Sequence, residues 1–213
     1  METFLYPVTP ANLSRPLLAL CEELVPGGTP QYIEAQPRAN VPTKGCFQLV
    51  DGCVQTKGGA SVIGWALGEQ PTLFVEAELH AVWRTPTNEL IDVTPRVPPT
   101  KRILFLADPS RSYTGQQVNN VRRALSKHAA VAAFLKAFDD EYEFMNRGAR
   151  ANQHGEIKVT GAEAQEYDEI QRRKAAHYIE MLKLHPAVEP YDPCWCGSGR
   201  KVKWCHGLRR NAV

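Results

Sequence analysis

Leu73-Phe74-Val75-Glu76-Ala77-Glu78-Leu79-His80-Ala81-Val82-Trp83 alternates with a period of two, and that alternation decides the fold class. The odd positions Leu73, Val75, Ala77, Leu79, Ala81 and Trp83 make one apolar face, while the even positions carry Glu76, Glu78 and His80. Successive side chains of a strand point to opposite sides, so Thr72 to Arg84 reads as a β-strand with one buried face. Beyond a turn centred near Pro86, Glu89 to Thr94 repeats the pattern, with Ile91 and Val93 apolar and Asp92 between them. Matching the apolar faces pairs odd with odd, because a one-residue slip turns every side chain to the wrong side. The expected hairpin sets His80 directly opposite Asp92, as cross-strand neighbours. A carboxylate placed there can hold one imidazole nitrogen and orient the other.

Two flanking segments, Ser61 to Gly68 and Arg102 to Ala107, complete an expected small antiparallel sheet. The even positions of the first, Val62, Gly64, Ala66 and Gly68, are small and leave room for a packed helix or a substrate. Ahead of the sheet, Thr43-Lys44-Gly45-Cys46-Phe47-Gln48-Leu49-Val50 reads as a helix start with Thr43 as N-cap. Cys46 then lies in the first turn, where unpaired amides, the helix dipole and Lys44 favour a thiolate. Cys46 and Cys53 also share a helix face seven residues apart, a spacing that suits plain core cysteines equally well.

A helix bearing Cys, a strand, a strand bearing His and a strand bearing Asp follow one another in this order. With the runs "KGCFQ", "LHAVW" and "LIDVTP", it resembles the transglutaminase-like branch of papain-type cysteine enzymes over residues 40 to 97. The resemblance implies a papain-type helix on an antiparallel sheet, with Cys46 as nucleophile, His80 as general base and acid, and Asp92 as orienting group. The chemistry implied is acyl transfer or hydrolysis at an amide or ester, as in an amidase, protease or acyltransferase. The Cys46 amide, with Gln36 or Asn40, would supply the oxyanion donors.

The C-terminal run Pro193-Cys194-Trp195-Cys196-Gly197-Ser198-Gly199-Arg200-Lys201-Val202-Lys203-Trp204-Cys205-His206-Gly207 carries a Cys-x-Cys-x8-Cys-His pattern. Soft thiolates with an imidazole are the ligand set of Zn2+, and four protein ligands close the shell of a structural site. "YDPCWCGSGRKVKWCHG" resembles the SEC-C zinc motif, known from the C-terminus of the translocation ATPase SecA. By that resemblance Cys194, Cys196, Cys205 and His206 hold one zinc. No glycine loop with a phosphate-binding lysine accompanies it, so ATPase activity is not implied.

Between these parts, residues 113 to 185 read as a helical hairpin. The first helix is expected through Val118, Val121, Leu125, Val131, Leu135, Phe138, Tyr142 and Met145, ending near Gly148. The second runs from about Ala162 to Leu184 with Tyr167, Ile170, Tyr178 and Met181 on one side, after an exposed Gly148 to Gly161 loop. His128 and His177 are given no role.

The 213 residues carry 25 Lys and Arg against 23 Asp and Glu. Five of the basic residues, Arg200, Lys201, Lys203, Arg209 and Arg210, fall in a tail that lacks carboxylates, leaving a body of net −3. The basic tail suits nucleic acid, ribosomes or an acidic protein face, or simply offsets the zinc thiolates. Cys21, Cys46 and Cys53 remain beside the zinc set, an odd number that fits a reducing compartment. With no signal-like N-terminus and no apolar run of membrane-spanning length, the expected location is cytoplasmic.

The sequence thus predicts an α+β chain in three parts. A transglutaminase-like domain occupies 1–112, a helical hairpin 113–185 and a SEC-C zinc knuckle 190–213. Two functions stand: a cysteine-dependent acyl-transfer enzyme, or a non-catalytic zinc adaptor that binds protein, ribosome or nucleic acid.

Overall fold

A computed structural model describes residues 7–39, 41, 45–96, 99–152, 157–184, 191 and 200–205. They fall into two compact units. The first takes in Leu13–Gln70 and Val75–Arg123; the second takes in Pro10–Asn12, Pro71–Phe74 and the residues from Ala124 onward.

The first unit opens with α1 (Arg15–Leu24), a helix that the sequence analysis did not assign. Its signals are local: the Ser14 hydroxyl accepts from the Leu17 amide, Pro16 sits in the first turn, and Leu17, Leu20 and Cys21 are buried at helical spacing. The strands are β1 (Gln31–Ala35), β2 (Ala60–Gln70), β3 (Phe74–Arg84), β4 (Leu90–Asp92), β5 (Arg102–Ala107) and β6 (Val121–Ala124). The helix α2 (Cys46–Lys57) lies between β1 and β2 in the chain. The sheet runs β2-β5-β1-β4-β3-β6, and a further β2–β3 pairing closes it into a small barrel.

Closure corrects two expectations. The sheet is not purely antiparallel, because β1, unforeseen between Pro30 and Pro37, pairs β4 in parallel with Ala35 beside Asp92. The space beside the small residues of β2 is also already taken, by neither helix nor substrate. Ala66 is buried with Ile33, Val82, Ile103 and Phe105, and Val62 packs against them. A Cβ on Gly64 would stand 2.2 Å from the Leu106 carbonyl and 2.7 Å from the Phe105 ring. Glycine is there because β5 crosses too close for any side chain.

The other face carries a second cluster. Val50 and Cys53 of α2 pack on Ala81, Trp83, Ile91 and Val93, with Cys46, Phe47, Leu49 and Val54 at its margin. The odd-numbered apolar stripe thus buries the helix, as its periodicity predicts.

The long first helix expected after residue 113 proves to be two elements. Val121–Ala124 is β6, and the helix α3 spans only Ala129–Met145. The break has a local cause, since His128 is extended (φ −68°, ψ 134°) and its Nδ1 accepts from the Ala130 amide at 3.2 Å. His128 is therefore a cap. The partner α4 (Gly161–Leu182) buries Ile170, Tyr178 and Met181 as expected, and Phe134 meets Tyr178 at 5.4 Å between ring centroids. Part of the expected loop is a 3-10 helix, Gly148–Asn152, anchored by buried Arg150, whose Nε and Nη2 donate to the Phe144 carbonyl at 3.1 and 2.9 Å.

Candidate functional site

The hairpin that carries His80 and Asp92 is offset from the expected one. Trp83 pairs with Ile91 and Arg84 with Leu90, so Val82, not His80, stands across from Asp92. The turn centres on Thr87: the Thr85 amide donates to the Glu89 carbonyl at 2.8 Å, and Asn88 takes the left-handed φ of 70°. A shift of two residues preserves parity, so His80 and Asp92 still share a face, diagonally. The contact survives, with His80 Nε2 3.0 Å from Asp92 Oδ1.

Both side chains are almost fully buried, at 3% and 0% exposure. Asp92 has a full set of donors besides His80. The Thr94 amide donates to Oδ1 at 3.0 Å, and Arg96 Nε donates to Oδ2 at 2.9 Å. Arg96 Nη2 also lies 3.1 Å from His80 Nε2, while Nη1 reaches Glu78 at 3.6 Å. The Thr94 hydroxyl is buried with no hydrogen-bond partner among the described residues.

Cys46 is the first residue of α2, and Gly45 at φ 113° holds the N-cap position. That corrects the expectation of a Thr43 cap, and Thr43, Lys44 and Asn40 lie outside the described residues. Cys46 is a free, partly exposed thiol, near enough to the His80 imidazole to raise its proton affinity. With Nε2 turned to Asp92 and Arg96, Nδ1 is the ring nitrogen left for the sulfur. Next to it Phe47 and Tyr113 stack with centroids 3.6 Å apart. Burial and then the neighbouring Cys46 push the Tyr113 hydroxyl up. The Gln36 backbone amide donates to the Asp92 carbonyl at 2.8 Å, which leaves only the side-chain amide of Gln36 as an oxyanion donor.

The electrostatics follow from these contacts. Burial alone would favour a neutral His80, but the hydrogen bonds to Asp92 and then Cys46 outweigh it while Arg96 opposes, and the imidazole is raised from 6.5 to about 9. Burial would likewise raise Asp92, yet His80 and Arg96 hold its carboxyl well below the usual carboxylate range. The arrangement is a partly exposed thiol, an imidazole and a buried carboxylate in series, which is chemistry suited to moving a proton to and from sulfur. Sequence reasoning missed Arg96. Its position four residues after Asp92, past Pro95, was the one signal available.

Of the expected zinc ligands, Cys194, Cys196 and His206 lie outside the described residues, as does the side chain of Cys205. Cys205 ends a short helix, α5 (Val202–Cys205). Around it Trp204 and Tyr191 are 59% and 56% exposed and meet edge to face at 5.9 Å, and Lys203 Nζ donates to the Tyr191 hydroxyl at 3.1 Å. Among the described residues no group of three His, Cys, Asp or Glu side chains is arranged to hold a metal, and no helix is long and apolar enough to cross a membrane.

Comparisons with known proteins reach only a fraction of the chain. It is 40% identical over 38 residues, 18% of its length, to the protein translocase subunit SecA of Borreliella burgdorferi (strain ZS7), covering 4% of that protein. To SecA of Francisella tularensis subsp. holarctica (strain FTNF002-00 / FTA) it is 42% identical over 43 residues, 20% of its length and 5% of that protein. The chain therefore spans about a twentieth of the length of the curated relatives it matches. No family model and no solved structure matches. What is shown is a mixed α+β chain with a partial likeness to SecA, whose C-terminus carries the SEC-C motif.

Proposed function

We propose that this chain is a cytoplasmic, cysteine-dependent acyl-transfer enzyme of transglutaminase-like type, an amidase, protease or acyltransferase, with a SEC-C zinc knuckle at its C-terminal end. The observation that carries the reading is the His80–Asp92 pair at 3.0 Å beside the Cys46 thiol, in which the buried carboxylate engages Nε2 and leaves Nδ1 for the sulfur. A partly exposed cysteine at a helix N-terminus, flanked by an imidazole charged at neutral pH, is the environment that activates sulfur. Cys46 Sγ attacks the carbonyl carbon, its proton is held by His80, and His80 returns a proton to the departing amine or alcohol. Water or an acceptor amine then displaces the sulfur from the thioester. The Cys46 amide, in the first turn of α2 where amides have no partner within the helix, points to one oxyanion donor. Cys194, Cys196, Cys205 and His206 hold one structural zinc and take no part in these steps.

A thiol-directed acyl probe tests this reading. Cys46 should be labelled in the wild type, lost in Cys46→Ala and slowed at least tenfold in His80→Ala. Equal labelling of Cys21 and Cys53, both buried, would remove it.

A second reading, a zinc adaptor without catalysis, draws on the partial likeness to SecA and on the exposed Tyr191, Trp204, Lys201 and Lys203. It predicts capture of a protein, ribosomal or nucleic-acid partner that survives Cys46→Ala and fails in Cys194→Ser.

A further inference from the structure

We propose that Arg96 is a positioning residue of this site, competing with Asp92 for the Nε2 atom of His80 and so keeping the imidazole able to give up its proton. The inference rests on the Cys46–His80 pairing of the reading above, and not on acyl transfer itself.

One ring atom faces two unlike partners. His80 Nε2 stands 3.0 Å from Asp92 Oδ1 and 3.1 Å from Arg96 Nη2. An ionised carboxylate only accepts and a guanidinium only donates, so Nε2 satisfies one of them at a time. In one arrangement Nε2–H donates to Asp92, and Nδ1 is the site that takes a proton from Cys46. In the other, Arg96 Nη2–H donates to the bare Nε2, and the ring's single proton sits on Nδ1, toward the sulfur. Arg96 cannot simply swing away. Its Nε is tied to Asp92 Oδ2 at 2.9 Å, Nη1 lies 3.6 Å from Glu78, and only 24% of its side chain is exposed.

The consequence is a ring with two satisfied neutral forms. With Asp92 alone, a buried His80 would have one satisfied neutral form, Nε2–H toward Asp92, and no neighbouring charge would oppose the imidazolium. Arg96 supplies a donor for the bare atom and adds a like charge that disfavours the imidazolium. The groups facing His80 are Asp92 from β4, Arg96 beyond it and Cys46 from α2, with Glu78 of β3 behind Arg96 and Tyr113 behind Cys46. The proton that moves is exchanged between Cys46 Sγ and His80 Nδ1, and nothing else is consumed.

The test is a titration of the full chain labelled with 15N in its histidine rings, the His80 signals being assigned by their loss in His80→Gln. Ring nitrogen shifts report both the midpoint and the atom that carries the proton. Arg96→Gln should raise the His80 midpoint by about one pH unit and leave the neutral ring's proton on Nε2. A merely structural role gives the opposite sign, because loosening the site admits water and draws the midpoint down toward the ordinary value. A midpoint that is unchanged or lowered in Arg96→Gln overturns the proposal. Should Arg96→Gln fail to fold, Glu78→Gln at a half-exposed side chain decides. Freeing Arg96 from its outer partner should lower the midpoint and move the neutral ring's proton from Nε2 toward Nδ1, and an unchanged or raised midpoint, or a proton that stays on Nε2, overturns the proposal. Acyl-probe labelling is read separately, so loss of the enzyme reading and loss of this one are told apart.

Discussion

Replacing His80 by glutamine removes a ring that binds its proton more tightly in the folded chain than in the unfolded one, and the pH dependence of unfolding reads that difference. The imidazole is raised from 6.5 to about 9. At 1.36 kcal/mol per unit, this links roughly 3 kcal/mol of folding free energy to the His80 proton. The sign follows from which state holds the proton. Below pH 6.5 both states are protonated and the stabilisation is fully present. Between 6.5 and about 9 the unfolded chain has lost the proton and the folded chain keeps it, so stability falls as pH rises. Above about 9 the contribution is gone. The shift of Asp92 is largely the same interaction seen from the other partner and is counted once.

Urea unfolding followed by tryptophan fluorescence is the assay, since Trp65 and Trp83 are buried in the same unit as His80. At an m-value of about 2 kcal/mol/M, the wild-type midpoint should drop by roughly 1.5 M across this window. His80→Gln should be nearly flat. Burial pushes the Cys21 thiol from 9.0 up to about 11, so its own alkaline loss begins only above the window. A wild-type midpoint that does not move, or a His80→Gln midpoint that falls as far, refutes the reasoning.

Three further outcomes follow from the same geometry. Asp92→Asn strips the carboxylate from His80 and Arg96 and should destabilise the fold by about 3 kcal/mol; a chemical-denaturation curve that overlays the wild type would contradict this. Gly45→Ala should lower the melting temperature, because φ 113° is strained for alanine by about 1–3 kcal/mol and a Cβ there meets Gln48 Oε1 at 3.2 Å. The same variant should slow labelling of the adjacent Cys46, and an unchanged rate would show that the cap does not position the thiol. Elemental analysis should find one zinc per chain in the wild type and in Cys46→Ser, and none in Cys205→Ser; undiminished zinc in the last variant would exclude the knuckle.

How far the site could be read in advance depended on which interactions were local. The place of Cys46 in the first turn of α2, the β3 alternation and the shared face of His80 and Asp92 were legible from residue patterns along each segment, whereas the cap of α2 is Gly45 and not Thr43. The helix α1 was equally legible from Ser14, Pro16 and its leucines, although no element was assigned there. The strand β6 was misread as helix because Val121 and Leu125 fit helical spacing as well as any short apolar run does. His128, an extended cap, is what separates them. The role of Arg96 could not be read at all, since a guanidinium finds Asp92, His80 and Glu78 only once two strands and a loop are brought together.

By itself the sequence determined parity: which residues of each strand share a face, and hence that His80 and Asp92 lie on the same side. It also determined the ligand spacing on which the zinc proposal rests. Tertiary structure decided the offset of the hairpin, because alternation repeats every two residues and is blind to a shift of two. The Thr85–Glu89 turn chose between the equivalent registers. Tertiary structure likewise decided that the sheet closes. Closure depends on the parallel β1–β4 pairing, which no local pattern encodes, together with the β2–β3 pairing, and it turned the roomy face of β2 into core.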